Sequence, residues 1–149
     1  MINKGLLSSK RSDWKTPKSL FIALHRKFHF NFDPCPSKSN FNGLEIEWGK
    51  HSFLNPPYGT QIKYWIKKAW EEAQKGETIV LLVPSRTDTQ YWHEYVMKAH
   101  EIWFIKGRLK FDDHYNSASF PSAIIIFNGK KEEASFPKLK SVDIHAQNL

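Results

Sequence analysis

Four consecutive residues, Asn55-Pro56-Pro57-Tyr58, combine an amide, two prolines and an aromatic ring. Each proline fixes φ at about −65° and has no N–H, so the carbonyls of Asn55 and Pro56 project from a stiff turn with few donors nearby. The Asn55 amide oxygen and the Pro56 carbonyl can each accept one hydrogen of a planar NH₂ group, and an exposed Tyr58 ring can lie against the attached base. The pattern therefore predicts recognition of an exocyclic amine. A purely structural turn before a helix is the alternative.

Two other polar segments follow predicted strands. Alternation over residues 28–32 predicts a strand that ends at Asp33, and the apolar run 78–83 predicts a central strand that ends before Arg86. Ligands of open α/β sheets bind beyond the carboxyl ends of the strands, so Asp33, Asn55 and Arg86 are expected at one edge of a sheet. By its chemistry, Asp33 either binds a cationic amine or hydroxyls of a ligand, or closes an Asx-turn.

The rest of the chain alternates between helix and strand patterns. Helices are predicted over residues 17–28, capped by Thr16; after Thr60 as far as Gly76; and from a cap at Thr87 or Asp88 to His100. Further strands are predicted over residues 44–48, 53–54, 102–105 and 123–127. This order predicts one α/β domain over residues 1–149, with a mostly parallel sheet and an antiparallel end. Residues 1–12 are expected to be a flexible arm, and residues 130–149 to be frayed or a weak edge.

Length and charge narrow the classes of function. With 149 residues and 40% hydrophobic residues, the chain predicts one domain, too short for a separate target-recognition domain of ordinary size. It has no apolar run near the ~20 residues that span a bilayer and no secretory segment in its first ten residues, which predicts a cytoplasmic protein. A net charge of +7 favours a polyanionic partner or an acidic membrane surface, and eleven Phe, six Trp and five Tyr supply rings for stacking on bases.

Metal chemistry is not expected. Cys35 is the only cysteine, so neither an intrachain disulfide nor a multi-thiolate zinc site can form. His25 and His29 have the i, i+4 spacing of a helical metal pair, but no Glu or Asp accompanies them on that face. Both lie near a predicted helix C-terminus, where histidine interacts favourably with the helix dipole.

Several short motifs follow one another along the chain. They are Trp14-Lys15-Thr16-Pro17, Asp33-Pro34-Cys35, Gly43-Leu44 with Trp48-Gly49, Asn55-Pro56-Pro57-Tyr58, Pro84-Ser85-Arg86-Thr87-Asp88-Thr89 with Trp92, Gly107-Arg108-Leu109-Lys110-Phe111, and Phe120-Pro121-Ser122. Each motif is modestly specific. As an ordered set, spanning roughly residues 13–127, they resemble the phage-type DNA N6-adenine methyltransferases (Dam).

The resemblance implies a compact Rossmann-like fold with helices on both faces, S-adenosylmethionine (SAM) as the methyl donor, no metal, and double-stranded DNA from which an adenine is flipped. It implies a catalytic role for Asn55, Pro56, Pro57 and Tyr58, and cofactor contacts for Trp14, Thr16, Pro17, Asp33, Pro34 and Cys35. The sequence departs from most SAM enzymes because it lacks their Gly-rich loop. Glu45 and Glu47 are candidates for binding the ribose, but a solvent-exposed strand glutamate is the better interpretation for at least one of them.

DNA contacts and substrate identity stay open at this point. Arg86, Arg108 and Lys110 are candidates for phosphate or base contacts, and Trp92 for lining the target pocket. The alternatives are a plain amphipathic strand over residues 108–111 and a core position for Trp92. The competing substrates are cytosine N4 and the side-chain amide of a protein glutamine. A further interpretation is a non-catalytic DNA-binding protein with the same fold. The basic charge and the many rings favour nucleic acid over protein but do not separate adenine from cytosine.

Overall fold

The computed structural model describes residues 14–112, 116–132, 135–145 and 149, so the predicted arm at residues 1–12 lies outside the described residues. Along these residues the elements are α1 (Lys18–Phe28), β1 (His51–Leu54), α2 (Ile62–Ala73), β2 (Thr78–Pro84), α3 (Gln90–Glu94), a 3-10 turn (Val96–Lys98), β3 (Glu101–Ile105), β4 (Ser122–Asn128) and β5 (Lys138–Val142). This confirms the α/β class.

The five strands form one mixed sheet in the order β1-β2-β4-β3-β5. β1 pairs with β2 and β3 with β5 in parallel, whereas β4 runs antiparallel to both β2 and β3. Four of the five strands therefore run in the same direction, which agrees with the predicted mostly parallel sheet, but the predicted antiparallel end is wrong because the antiparallel strand lies in the middle. A parallel neighbour needs a crossover connection, usually a helix, and the described residues between β3 and β4 contain none.

β2 is the centre of the core, as its continuous apolar run predicts. All seven of its residues are buried. Ile79, Leu81 and Val83 belong to a cluster that includes residues of α2 and α3, whereas Val80 and Leu82 belong to a second cluster that includes residues of α1. The predicted apolar face of α2 is confirmed, since its members Ile62, Ile66, Ala69 and Ala73 are all buried. Fully burying each larger side chain contributes about 1.5–3 kcal/mol.

The predicted strand over residues 28–32 is reduced to a single parallel bridge between Phe32 and Ser52. α1 ends at Phe28, and its C-cap residue, His29, has left-handed dihedrals of φ 53° and ψ 62°. The backbone then runs beside β1 long enough for Asn31 N–H to donate to His51 (2.8 Å) and for the Phe32 carbonyl to accept from Phe53 (3.1 Å). A turn at Asp33 ends the pairing directly afterwards, so the alternating pattern never extends into a strand.

The predicted strand over residues 44–48 is also wrong. This segment consists of a turn, bends and irregular backbone, and its last residue, Trp48, is buried against α2. The Trp48 N–H donates to Glu72 Oε1 (2.6 Å), and its indole donates to the Gly43 carbonyl (2.7 Å). The backbone groups that a strand would offer to a neighbour are thus used by a helix side chain and a local turn.

Helix ends differ from the predictions by a few residues. Pro17, not Thr16, occupies the N-cap of α1, and Gln61, not Thr60, that of α2. Thr89 caps α3 by accepting from Trp92 N–H (3.4 Å), and α3 ends at Glu94 instead of reaching His100. Thr87 and Asp88 do not cap because the chain turns at residues 86–89, where Thr89 N–H donates to the Arg86 carbonyl (3.2 Å).

The described part of residues 130–149 forms an edge strand, one of the two outcomes expected for this segment. β5 pairs only with β3, and Val142 is its one buried residue. In the part of the chain that the structure describes, no helix has the length and apolar character needed to cross a bilayer.

Candidate functional site

One edge of the sheet collects the ends of several elements. β1 and β2 are parallel and Phe32 bridges to β1 in the same direction, so Asp33, Asn55 and Ser85 all leave the sheet at this edge. The antiparallel β4 begins here too, because Ser85 N–H donates to the Pro121 carbonyl (2.9 Å). This is the edge at which the sequence predicts a binding site.

An open cavity of about 270 Å³ lies at this edge. It is lined by Trp14, Lys15, Thr16, Lys18, Asp33, Cys35, Ser37, Phe53, Asn55 and Asp112. Four of the six residues proposed to contact the cofactor are among them, together with the first residue of the Asn-Pro-Pro-Tyr turn. The other two, Pro17 and Pro34, are buried beside the cavity rather than in its wall.

The side-chain amide of Asn55 has a donor that is hydrogen-bonded and an acceptor that is not. Its Nδ2 donates to the carbonyl of Trp14, 41 positions earlier in the chain. Its Oδ1 is shielded from solvent and accepts no hydrogen bond from any residue that the structure describes. A buried acceptor without a donor costs about 1–3 kcal/mol. Six other buried side-chain atoms of the described residues also lack a partner, but Asn55 is the one residue of this set that lines the cavity. Asn55 therefore presents an acceptor that a ligand with an N–H group would satisfy.

Asp33 forms the Asx-turn that was one of the two roles its chemistry left open, and its role in binding a ligand stays a prediction. Its Oδ1 accepts from the Cys35 N–H (2.8 Å), which is an Asx-turn, and the residue also lines the cavity. Burial of the carboxyl group raises its pKa above the ordinary value, and the hydrogen bond from Cys35 opposes that rise. The carboxyl is thus held in place and is partly desolvated, which suits a site for a cationic amine.

Tyr58 is less exposed than the sequence predicts. The ring is half-buried, packs against both core clusters, and meets Phe111 and Phe120 edge-on at centroid distances of 6.3 and 5.8 Å. Its hydroxyl donates to the Leu82 carbonyl (3.4 Å), and burial raises the pKa of the phenol well above its ordinary value. Tyr58 is therefore neutral and fixed in orientation. Pro56 is buried and Pro57 half-buried, so the turn is supported from below.

Asp112 ties the far side of the cavity to α1. Its Oδ2 accepts from the Lys18 N–H (3.0 Å) across 94 positions, and its own N–H donates to the Lys15 carbonyl (3.2 Å). Asp112 thereby satisfies a backbone donor in the first turn of α1 that Thr16 was expected to satisfy. No local pattern could have identified this residue, whereas Lys15 and Lys18 adjoin a motif that the sequence already singled out.

The candidates for DNA contact differ in their exposure to solvent. Arg86, Arg108 and Lys110 are exposed, and the Arg86 guanidinium lies 5.9 Å from the centroid of the Phe120 ring. Trp92 is only 3% exposed and belongs to the core cluster of α2 and α3. Its position agrees with the alternative reading as a core residue, so we leave it out of the proposed DNA surface.

Residues 108–111 alternate in exposure without forming a strand. Arg108 and Lys110 face solvent, while Leu109 and Phe111 are fully buried. The Leu109 carbonyl accepts from the Ala118 N–H (2.8 Å), which closes the described part of the loop back on itself. Two buried side chains therefore hold two cationic residues on the surface beside the cavity.

A buried carboxylate supports the Asp33 side of the site from beneath. Glu72 on α2 is 1% exposed, and it holds Trp48 and, through the Trp48 indole, Gly43. A Cβ on Gly43 would lie 1.9 Å from the Pro34 carbonyl oxygen, so this loop packs directly behind the turn that follows Asp33. Glu72 thus acts on the cavity through the loop, without lining it.

Neither glutamate considered for the ribose lines the cavity. Glu45 is exposed, and Glu47 has an 87% exposed side chain that pairs with Lys75 (3.5 Å). Asp33 and Asp112 are the cavity's carboxylates.

His25, one of the two histidines at metal spacing, accepts from the Phe30 N–H through Nδ1 (3.1 Å) and stacks on Phe21. Over the described ranges, no group of three or more His, Cys, Asp or Glu residues is arranged to hold a metal ion.

Comparison with known proteins identifies relatives along almost the whole chain. The family model for DNA N-6-adenine-methyltransferase (Dam) matches residues 4–143. The DNA N-6-adenine-methyltransferase of Escherichia phage T1 is 27% identical over 137 residues, which cover 83% of this chain and 57% of that protein. The protein of the same name from Haemophilus phage HP1 (strain HP1c1) is 25% identical over 162 residues, covering 93% of this chain and 92% of the relative. The chain thus spans little more than half of the T1 protein and nearly all of the HP1 protein. With a family model that extends over most of its length, this chain belongs to the DNA N-6-adenine-methyltransferase (Dam) family.

Proposed function

We propose that this chain transfers a methyl group from SAM to the N6 amine of adenine in double-stranded DNA. The observation that carries the proposal is the unsatisfied Oδ1 of Asn55, buried at a cavity that is also lined by Trp14, Thr16, Asp33 and Cys35. Membership in the Dam family and the net charge of +7 support adenine in DNA over a protein amide. The fold proposed with it is Rossmann-like with helices on both faces, which is supported by the two core clusters.

The residues present fit SAM. The cavity, at about 270 Å³, is near the lower end of the range of roughly 300–1,000 Å³ for small-molecule sites. It offers the indole of Trp14 for an aromatic base, the carboxylate of Asp33 for an amine, and the cationic side chains of Lys15 and Lys18 for a carboxylate. When bound, SAM supplies an electrophilic methyl group on a sulfonium.

In this mechanism the protein aligns an amine that is a poor nucleophile. The N6 lone pair of adenine is delocalised into the ring, and an acceptor at each of its hydrogens favours a pyramidal nitrogen with an available lone pair. Asn55 Oδ1 accepts one hydrogen and the Pro56 carbonyl the other, and both bonds strengthen as positive charge develops on the nitrogen. Asn55 is neutral and cannot act as a base, so the proton leaves to water after transfer.

A paired adenine cannot reach such a pocket, so the base is flipped out of the duplex. Tyr58 is the proposed platform for the flipped base, and the neighbouring Phe120 ring packs against its edge. Arg86, Arg108 and Lys110 are proposed to contact the DNA backbone, which fits their exposure on loops at the site edge.

Methylation of plasmid DNA, followed by nucleoside mass spectrometry, tests the proposal. We expect N6-methyladenine from the wild type and at least about a 10²-fold lower kcat for Asn55→Ala, with an unchanged circular dichroism spectrum. Asn40→Ala, the same change at an exposed loop position, is the matched control and keeps full activity.

Three results would contradict the proposal. N4-methylcytosine as the product would reassign the substrate base. Substantial activity in Asn55→Ala would remove that residue from the mechanism. Intact DNA affinity without detectable binding of SAM at millimolar concentration in calorimetry would favour a non-catalytic DNA-binding protein.

A further inference from the structure

The carbonyl of Trp14 decides which end of the Asn55 amide is left without a hydrogen-bond partner. An amide group has one donor end and one acceptor end, and the Trp14 carbonyl accepts from the donor end, Nδ2. Rotating the amide by half a turn would set Oδ1 against the Trp14 oxygen, two acceptors with no hydrogen between them. The contact with Trp14 therefore keeps Oδ1 as the end without a partner, which is the acceptor that the proposed mechanism uses.

The indole of Trp14 is itself held by two other rings. Its centroid lies 5.3 Å from that of Phe111 and 5.2 Å from that of Phe120, with interplanar angles of 60° and 90°. Edge-to-face pairs of this kind stabilise the orientation of a ring beyond the effect of its buried area. Phe111 follows directly after Lys110, and Phe120 packs beneath the Arg86 guanidinium.

Backbone contacts reinforce the same connection. Asp112, next to Phe111, bonds to the Lys15 carbonyl and to the Lys18 N–H. A continuous set of contacts thus leads from the exposed cations of the loops to Trp14 and from Trp14 to Asn55.

We propose that Trp14 is a positioning residue for methyl transfer: its carbonyl orients the Asn55 amide, and its indole makes that orientation depend on the loops that carry Arg86, Arg108 and Lys110. This inference rests on the proposed function and adds a step to it. DNA that engages the loops stabilises the rings around Trp14 and thereby the catalytic orientation of Asn55. The role differs from cofactor contact, because loss of positioning lowers kcat, whereas loss of a cofactor contact raises the KM for SAM.

Asn55→Asp tests the carbonyl contact with almost no change of shape. Ionised, the new carboxylate would place an oxygen against the Trp14 carbonyl; protonated, it can donate to that carbonyl and restore the original pattern. The ionisable groups lining the cavity around it are Lys15, Lys18, Asp33 and Asp112. We expect kcat of the variant to be at least about 10-fold below wild type at pH 8.0. Wild-type kcat for the variant at pH 8.0 would overturn the inference.

Trp14→Ala and Trp14→Phe test the indole. We expect kcat to fall at least about 10-fold in Trp14→Ala and less in Trp14→Phe, which keeps a ring between Phe111 and Phe120. Trp70→Ala is the control, because Trp70 is also half-buried and paired with an aromatic ring but lies on α2 away from the cavity. A raised KM for SAM with unchanged kcat in Trp14→Ala would leave Trp14 as a cofactor contact only and overturn the inference.

A measurement without turnover separates this inference from the proposed function. The side-chain amide of Asn55, assigned in ¹H–¹⁵N spectra by its loss in Asn55→Asp, is expected to exchange slowly with solvent. It should lose this protection in Trp14→Ala and keep it in Trp70→Ala. Protection of this kind in a protein that methylates no DNA would contradict the proposed function but not the positioning role. An unprotected Asn55 amide in an active wild type would contradict the positioning role but not the proposed function.

Discussion

Glu72→Gln removes the charge from the carboxylate that supports the Asp33 side of the cavity. In the wild type, Oε1 accepts from the Trp48 N–H (2.6 Å), and Oε2 accepts from Lys75 Nζ (2.6 Å) and Lys68 Nζ (3.5 Å). Glutamine fills the same volume and keeps an acceptor for Trp48. It also turns an NH₂ group toward two ammonium groups that need an acceptor.

The expected loss follows from those contacts. Hydrogen bonds to charged groups contribute about 1.5–3 kcal/mol, and we expect a loss of unfolding free energy in that range at pH 7.5. The larger cost of about 3–5 kcal/mol for breaking a fully buried ion pair does not apply, because the Lys75 side chain is 47% exposed and can be hydrated again. At about 2–4 °C per kcal/mol for a domain of this size, Tm should fall by roughly 3–12 °C.

The loss should depend on pH with a definite sign. Burial raises the pKa of Glu72, but hydrogen bonds from Lys75 and Trp48 and the charges of Lys68 and Lys75 outweigh it and lower the pKa below its ordinary 4.5. A carboxyl with a lowered pKa in the folded state stabilises the fold above its unfolded pKa and loses that contribution as pH falls through the folded value. The difference between wild type and Glu72→Gln should therefore shrink below about pH 4.5.

Urea unfolding at pH 7.5, 5.5, 4.5 and 3.5 measures this difference. Glu71→Gln is the matched control, since Glu71 is the exposed neighbour on the same helix, and its change should stay within about 0.5 kcal/mol. The reasoning is refuted if Glu72→Gln is as stable as Glu71→Gln at pH 7.5, or if the difference between them does not decrease toward pH 3.5.

Three further changes test other parts of the site. Asp33→Asn keeps an acceptor for the Cys35 N–H and removes the charge of a carboxyl group whose pKa is raised by burial, so the free energy of unfolding at neutral pH should stay the same or rise. The affinity for SAM, measured by calorimetry, should fall about 10–100-fold. An unchanged affinity would exclude Asp33 as a ligand. Gly43→Ala places a Cβ 1.9 Å from a backbone oxygen and should cost about 1–3 kcal/mol in urea unfolding, and a neutral result would show that the loop can move. Replacing both Arg108 and Lys110 by glutamine should reduce the slope of log affinity for DNA against log salt by about 2 without changing SAM affinity. An unchanged slope would place the DNA elsewhere.

Patterns along the chain predicted the buried faces well. The predictions of a buried strand at β2 and of the apolar face of α2 were correct, because positions that are buried on a central strand or on one face of a helix carry apolar residues. The site edge was also foreseeable, since polar residues directly after strands mark carboxyl ends. By contrast, residues 28–32 and 44–48 carry strand-like alternation but no strand, because their backbone groups are taken by β1, Glu72 and local turns.

The sequence by itself determined the class of the fold, the family motifs in order, and the amide, carboxylate and cationic groups that reach the site. Only the tertiary structure decided that β4 lies in the centre of the sheet, that Asp112 caps α1, and that the Trp14 carbonyl meets Asn55. The physical reason is distance along the chain. Burial and turns are specified by neighbouring residues, whereas a hydrogen bond across 41 or 94 positions depends on where every intervening element packs.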